Sequence, residues 1–368
     1  MKKAIFSIPS TFSQGEIEAA LTLNKRYAAR GSVIDSFYGN LNPNKWPSGR
    51  YACDLPSVKL KSLKKYIRSL HVNGFKFEYT LNAPYLGDIE YTSRLSRLLL
   101  DHVKKLSGIG IDHLCLSNFV LIGMVFSKIP HLKINVSTIA DIKKASQIKQ
   151  LEPFNVDTIT LSCDINRDLA SLSEIVAASK EQSIKIKLLA NNTCMDHCLF
   201  SRAHYDLISR FNSKKSKKDT FQDYFSYFCL LEKIKNPVEI IKTPFIRPED
   251  IHHYRKLGIE FFKISGRVRE EAVNFKNIEA YMKGSFYGNF FELWSGQQTL
   301  MWPKLFYLDN ARLNGLLGSC GNPVAYKKKL QEITRHICVN KALRKQLHER
   351  FITILKKYIL PNQNILRK

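Results

Sequence analysis

The segment Asn191-Asn192-Thr193-Cys194-Met195-Asp196-His197-Cys198 follows directly on a run of strand-forming residues, Ile184 to Leu189. Two cysteines separated by three residues at the end of a strand can both turn inward, and soft thiolates placed there suit an iron-sulfur cluster or zinc. Cys229, at the end of Tyr224-Phe225-Ser226-Tyr227-Phe228-Cys229, adds a third thiol if the lysine-rich loop Ser213 to Asp219 folds back. Cys163 ends a predicted strand of its own, where its side chain can face the same place. Zinc would take Cys194, Cys198 and Cys229 together with His197 or His204. The bland alternative is a set of buried thiols packed as small hydrophobes.

Other chemistries leave fainter traces. The three-cysteine run of enzymes that cleave S-adenosylmethionine is broken, because Ser201 stands at its third place. There is no G-x-S-x-G elbow and no H-E-x-x-H helix, and His252-His253 lacks the carboxylate pattern of a catalytic zinc. A cysteine peptidase would need a positioned histidine as base, and only the loop neighbours His197 and His204 offer one. Four arginines, Arg50, Arg167, Arg247 and Arg267, fall near predicted strand ends. Guanidinium forks grip carboxylate or phosphate at two points, so together they predict an anionic substrate. Singly, each reads as well as a surface ion pair worth ~0–1 kcal/mol. Asn82, Asn166, Arg167, Arg247 and Arg267 form the candidate catalytic set, and Arg50, Lys242 and Tyr38 the candidate substrate-binding set.

The elements that must position these residues are legible as alternation. Short β-branched runs separated by longer amphipathic stretches are the mark of parallel βα units. The predicted strands are Ala4 to Ile8, Val33 to Phe37, Phe75 to Thr80, His113 to Leu116, Ile134 to Val136, Thr158 to Ser162, Ile184 to Leu189, Val238 to Ile241 and Phe261 to Ile264. Nine candidates make an α/β fold of the (β/α)8 TIM-barrel type with one to spare, and in such barrels the site lies at the carboxyl ends of the strands. Asn82, Asn166, Cys194, Arg247 and Arg267 should therefore converge on one rim. The barrel is assigned to residues 1–290 and a basic, largely helical C-terminal extension to 291–368.

With 57 Lys and Arg against 32 Asp and Glu, the chain carries a formal charge of +25. A field of that sign concentrates polyanions such as RNA, an anionic membrane surface or a phosphorylated carrier, although lysine spread along the whole chain also fits mere compositional bias. From Gly321 to Lys368 there are 12 basic and 2 acidic residues, a net +10. Helical periodicity runs through Val324 to Leu360, so this tail reads as an amphipathic helix that docks on the barrel, on nucleic acid or on an anionic surface. No window reaches the ~20 apolar residues of a membrane span. The start, Met1 to Ser10, reads as a first strand rather than a secretory signal, and eight unevenly spaced cysteines do not form a disulfide framework. A cytoplasmic location is expected.

An ordered set of segments carries a resemblance. Ser48-Gly49-Arg50, Leu81-Asn82-Ala83-Pro84, Asp164-Ile165-Asn166-Arg167-Asp168, Cys194-x3-Cys198, Ile241 to Asp250 and Phe262-Lys263-Ile264-Ser265-Gly266-Arg267 resemble peptidase family U32, the collagenase-like peptidases. The similarity runs from the first strand to about Asn289, and the tail after about Gly318 has no counterpart in it. The resemblance implies a barrel-like fold. It also implies, for several members, a four-cysteine [4Fe-4S] site and a part in hydroxylating tRNA or rRNA bases or the ubiquinone ring; other members are described as peptidases. A protein partner or homologous subunit is a further expectation, and the alternative to an enzyme is a non-catalytic subunit that holds nucleic acid through its basic tail. The family's Gly-Ser-x-Cys run is absent here, since Leu188-Leu189-Ala190-Asn191-Asn192 stands in its place. The fourth ligand must then come from Cys163, from Cys53 or from a residue other than cysteine.

Overall fold

A computed structural model describes residues 2–41, 46–51, 55–154, 156–212, 223–266, 271–294 and 301–358, with side chains to 356. Eight parallel strands close into a barrel in chain order: β1 (Ala4–Pro9), β2 (Ser32–Gly39), β3 (Lys76–Thr80), β4 (His113–Leu116), β5 (Lys133–Val136), β6 (Thr158–Thr160), β7 (Lys185–Leu189) and β8 (Phe261–Lys263). Closure is made by β8 pairing with β1, Phe262 opposite Phe6. All eight coincide with predicted strands to within two residues at each end.

Helices alternate with the strands: α1 (Gln14–Tyr27), α2 (Leu60–Val72), α3 (Ser93–Gly108), α4 (Phe119–Lys128), α5 (Ala145–Lys149) and α6 (Leu169–Glu181). Three helices, α7 (Ser201–Phe211), α8 (Tyr224–Lys235) and α9 (Val238–Lys242), come between β7 and α10 (Ile251–Leu257), and α11 (Glu271–Lys283) follows β8. The rule that places them is visible in α2, where Leu63, Tyr66, Ile67 and Leu70 are buried at helical spacing while the exposed Lys61, Lys65 and Arg68 face water.

The ninth predicted strand, Val238 to Ile241, is the helix α9 instead. A short apolar run does not distinguish strand from helix by itself. Pro237, with φ −59°, starts a helical turn in which Ile240 N–H donates to the Pro237 carbonyl, and Ile240 and Ile241 are buried as a helix face.

The barrel interior is polar where such barrels ordinarily hold branched aliphatics. Glu78 (β3), 2% exposed, receives Lys263 (β8) at 2.6 Å and Lys187 (β7) at 3.2 Å. Asn135 (β5) also donates to it, and Thr160 (β6) donates to Asn135 at 3.2 Å. Five strands are tied through one carboxylate. The aliphatic core lies outside the barrel wall, between strands and helices, and continues into the extension through Trp294, Trp302, Leu305, Phe306, Leu308 and Leu313.

The extension holds α12 (Trp302–Leu305), β9 (Phe306–Tyr307), α13 (Leu316–Ser319), α14 (Pro323–Thr334), β10 (Cys338–Val339) and α15 (Lys341–Tyr358). The single helical run expected through Val324 to Leu360 is therefore broken. Cys338 and Val339 pair antiparallel with Tyr307 and Phe306, and the Asn340 side chain accepts from Leu343 N–H at 3.1 Å to cap the next helix. Helix α14 packs against α9 and α15 against α8, where Phe351 meets Tyr227 at 5.6 Å between ring centroids. A chain ending at Ser319 would lose Leu330, Ile333, Leu347, Phe351 and Leu355, all buried, each worth ~1.5–3 kcal/mol of burial. We expect a clear fall in Tm by circular dichroism together with a flatter salt dependence of RNA binding, so the two effects must be measured side by side.

Candidate functional site

The site is built on the loop that leaves β7. Asn191 is fully buried; its side chain donates to the Ser265 carbonyl at 2.8 Å and accepts from Ser265 N–H at 2.7 Å, which locks the ends of β7 and β8 together. Asn192 Oδ1 accepts from Cys194 N–H at 3.0 Å, and Asn192 lines the same cavity as Cys163, which follows β6. Thr138, beyond β5, lies 3.6 Å from Cys163 Sγ. Three adjacent strand ends thus meet at two of the predicted thiols. Cys198 closes the loop, and its carbonyl accepts from Ser201 N–H as α7 begins.

Cys229 arrives on α8. Asp223 caps that helix by accepting from Ser226 N–H at 2.9 Å and pairs with His204 of α7 at 3.1 Å, so one carboxylate holds the two helices together. Two cavities adjoin at this place. One of about 510 Å³ is bounded by Thr138, Asp141, Lys143, Cys163 and Asp164, and one of about 210 Å³ by Arg50, Tyr51, Phe225, Phe228, Cys229 and Lys233. Cys194, Met195, Cys198 and Tyr205 form part of the wall of both. Loss of hydration pushes the Cys163 thiol up to about 11 and the Cys194 thiol up to about 12, and it raises Cys198 too. The Lys233 ammonium works the other way on Cys194, while the thiols Cys163, Cys229 and Cys198 add to the rise by charge repulsion.

The seven described cysteines are all free, and Cys53 lies outside the described residues. Among the described residues no three His, Cys, Asp or Glu side chains are gathered to hold a metal ion as they stand. Four thiolates on one zinc would have to sit roughly 3.8 Å apart, given Zn–S bonds of about 2.3 Å in a tetrahedron. A cluster brings its own iron and sulfide core and spaces its cysteines more widely. Four thiols from three elements beside open volume are a donor set that iron-sulfur clusters and zinc both use.

The other predicted residues are divided by the structure. Arg50 is exposed at the smaller cavity, where the Asn212 side chain donates to the carbonyls of Ser48 and Arg50. A Cβ on Gly49 would stand 2.6 Å from Ile139 and 3.0 Å from the Asn82 carbonyl and Oδ1, so only glycine lets this loop lie over the rim. Asn82 donates to Ser137 at 3.1 Å beneath it. Asn166 donates to the carbonyls of Leu189 and Pro244. These residues and Cys194 share the carboxyl-end rim.

Arg167 and Arg247 are at that end too but bound neither of the two cavities that the thiols line. Arg167 donates to the Ile241 carbonyl at 2.8 Å and reaches Tyr326 of α14, while Arg247, 3% exposed, is held by Asn310, Asn314 and Glu249. Arg247 is thus occupied in fastening the extension, and Arg167 mainly in holding the Ile241 and Phe245 carbonyls, partners for which a lone sequence carries no local signal. Lys242 pairs with Glu239 at 2.7 Å, and Tyr38 lies inside the barrel beneath Lys263, donating to the Ile264 carbonyl. Arg267 and the loop Ser213 to Asp219 lie outside the described residues. Residue reading missed Lys233, although its spacing of four from Cys229 on one helix is a signal, and it missed Asn192 and Tyr205.

The model of peptidase family U32 matches residues 52–284, more than half of the chain and all four clustered cysteines. The chain belongs to that family. A relative named "Uncharacterized protease MJ1657", from Methanocaldococcus jannaschii, is 30% identical over 257 residues, covering 70% of this chain and 74% of its own. The solved structure of the U32 peptidase Mk0906 is similar at 12% identity with a TM-score of 0.51, over 72% of this chain and 94% of that one, a likeness of fold. The family match ends before the extension, so the helices that engage Arg167 and Arg247 lie beyond it. No helix of the described residues is long and apolar enough to cross a membrane.

Proposed function

We propose that this U32-family protein holds an iron-sulfur cluster, of [4Fe-4S] type, on Cys163, Cys194, Cys198 and Cys229, and acts in oxidative modification of an anionic substrate such as RNA or a small carboxylate, by hydroxylation or group transfer. The observation that supports the reading is the placing of Cys163, Cys194 and Cys198 on the larger cavity and of Cys194, Cys198 and Cys229 on the smaller one beside it. Such a cluster, when bound, supplies one-electron transfer. The protein's own groups do the rest. Arg50 at the smaller cavity can fork onto a carboxylate or phosphate, and Tyr51, Phe225 and Phe228 beside it offer flat apolar walls.

Thiol peptidase chemistry is the less favoured reading despite the family's name. It requires an imidazole that takes the thiol proton. His204 Nε2 is engaged by Asp223 and Ser226, and the two ring nitrogens of His197 lie 3.9 Å from Asp164 and Asp196. Burial, moreover, favours the neutral thiol at Cys194 and Cys198. The test is anaerobic purification followed by iron and acid-labile sulfide analysis. A brown protein with matched iron and sulfide is expected; a colourless, iron-free protein that cleaves gelatin and is stopped by thiol alkylation would overturn the proposal.

A further inference from the structure

Helix α8 brings a second functional group to the thiols. Lys233 lies one helical turn beyond Cys229 and bounds the same cavity as Cys194 and Cys198. It is only 3% exposed, and a buried ammonium is ordinarily paired with a carboxylate because the cost of removing it from water is several kcal/mol. This chain follows that rule in the barrel interior, where Lys187 and Lys263 share Glu78.

Lys233 departs from it. Its Nζ donates to the carbonyl of Thr193, the residue before Cys194, and stands 5.5 Å from the ring centre of buried Trp294. Among the described residues no carboxylate pairs with it. Asp223, on the same cavity, is taken by His204. The thiols of Cys194, Cys198 and Cys229 line the same cavity as Lys233.

We propose that Lys233 is the built-in counter-cation of the thiol cluster, a positioning residue that offsets the negative charge of the thiolate-bound iron-sulfur centre and favours its reduced, more negative state. The assignment rests on the cluster reading above. Net charge near a cluster is among the factors that set its potential, and a unit charge at short range in a water-poor site acts with little screening. The Thr193 hydrogen bond gives the same residue a grip on the ligand loop.

The experiment compares the full-length wild type with K233M, which removes charge and donor, and K233Q, which keeps a donor but no charge. All three are reconstituted anaerobically with iron and sulfide, assayed for iron, and titrated for midpoint potential by absorbance and electron paramagnetic resonance, with Tm as the folding control. Both variants should load iron and shift the reduction equilibrium about tenfold toward the oxidised form, which is about 59 mV downward for a one-electron couple. Should both stay folded with unchanged Tm yet load no iron, Lys233 serves to hold the ligand loop through Thr193 and the counter-cation proposal falls. A midpoint unchanged in both, or a K233Q that matches the wild type, would overturn it, as would variants that do not fold. A wild type without iron would bring down the cluster reading itself.

Discussion

Replacing Cys194 with serine should leave the barrel folded and abolish loading of the proposed iron-sulfur cluster. A serine hydroxyl is a hard ligand that replaces a soft thiolate poorly, and Cys194 shares one cavity with Cys163 and Cys198 and the other with Cys198 and Cys229. Its side chain bounds both cavities, as that of Cys198 does, so the two cysteines of this loop are the ligands common to both. The cost to folding should be small, because the Cys194 backbone N–H keeps its bond to Asn192. The measurement is iron per chain after anaerobic reconstitution, with C320S and C338S as controls. Cys320 and Cys338 lie in the extension, away from these cavities, and should be silent. Equal iron in the wild type and C194S would sink the cluster proposal.

The largest expected change in stability comes from Glu78→Gln. The substitution leaves Lys187 and Lys263 buried without their shared carboxylate, and removing one partner from a buried ion pair costs ~3–5 kcal/mol. The pH dependence has a definite sign. Burial by itself would raise the Glu78 carboxyl, but Lys187 and then Lys263 hold it well below the usual carboxylate range. A carboxylate depressed in the folded state contributes stability that is fully present above its unfolded value, about 4.3, and is lost as pH falls toward the folded value. Asp157 acts in the same direction: burial would raise it, but hydrogen bonds from His113, Thr158 and Lys185 bring it down. The wild type should therefore lose stability steeply below about pH 4. Urea unfolding of E78Q should show the deficit already at neutral pH and a shallower acid slope; an unchanged midpoint at pH 7 would show that the interior carboxylate contributes nothing net.

How the parts of this protein became legible differs by the range of the interactions behind them. The eight strands and most of the helices, α2 among them, are written in local periodicity, because a strand's alternation and a helix's apolar stripe need no knowledge of distant residues. The pair Cys194 and Cys198 was legible for the same reason, since both sit on one short loop after one strand. Sequence also carried the carboxyl-end rule, which sent Asn82, Asn166 and Cys194 to one rim through chain direction alone.

What only the tertiary structure decided is where side chains turn once they arrive. Val238 to Ile241 has a strand's composition, yet Pro237 and the burial of Ile240 and Ile241 make it helical. Arg167 and Arg247 reach the expected end of the barrel but are claimed by Tyr326, Asn310 and Asn314, 63 to 159 residues farther along the chain. Glu78 reads as one charge in a short strand until β7 and β8 bring two lysines to it. Lys233 is one of many lysines until folding buries it beside thiols and without a carboxylate. Periodicity reports which face of an element is apolar; the pairing of polar groups across the barrel depends on closure and packing, which bring together residues that local pattern leaves unrelated.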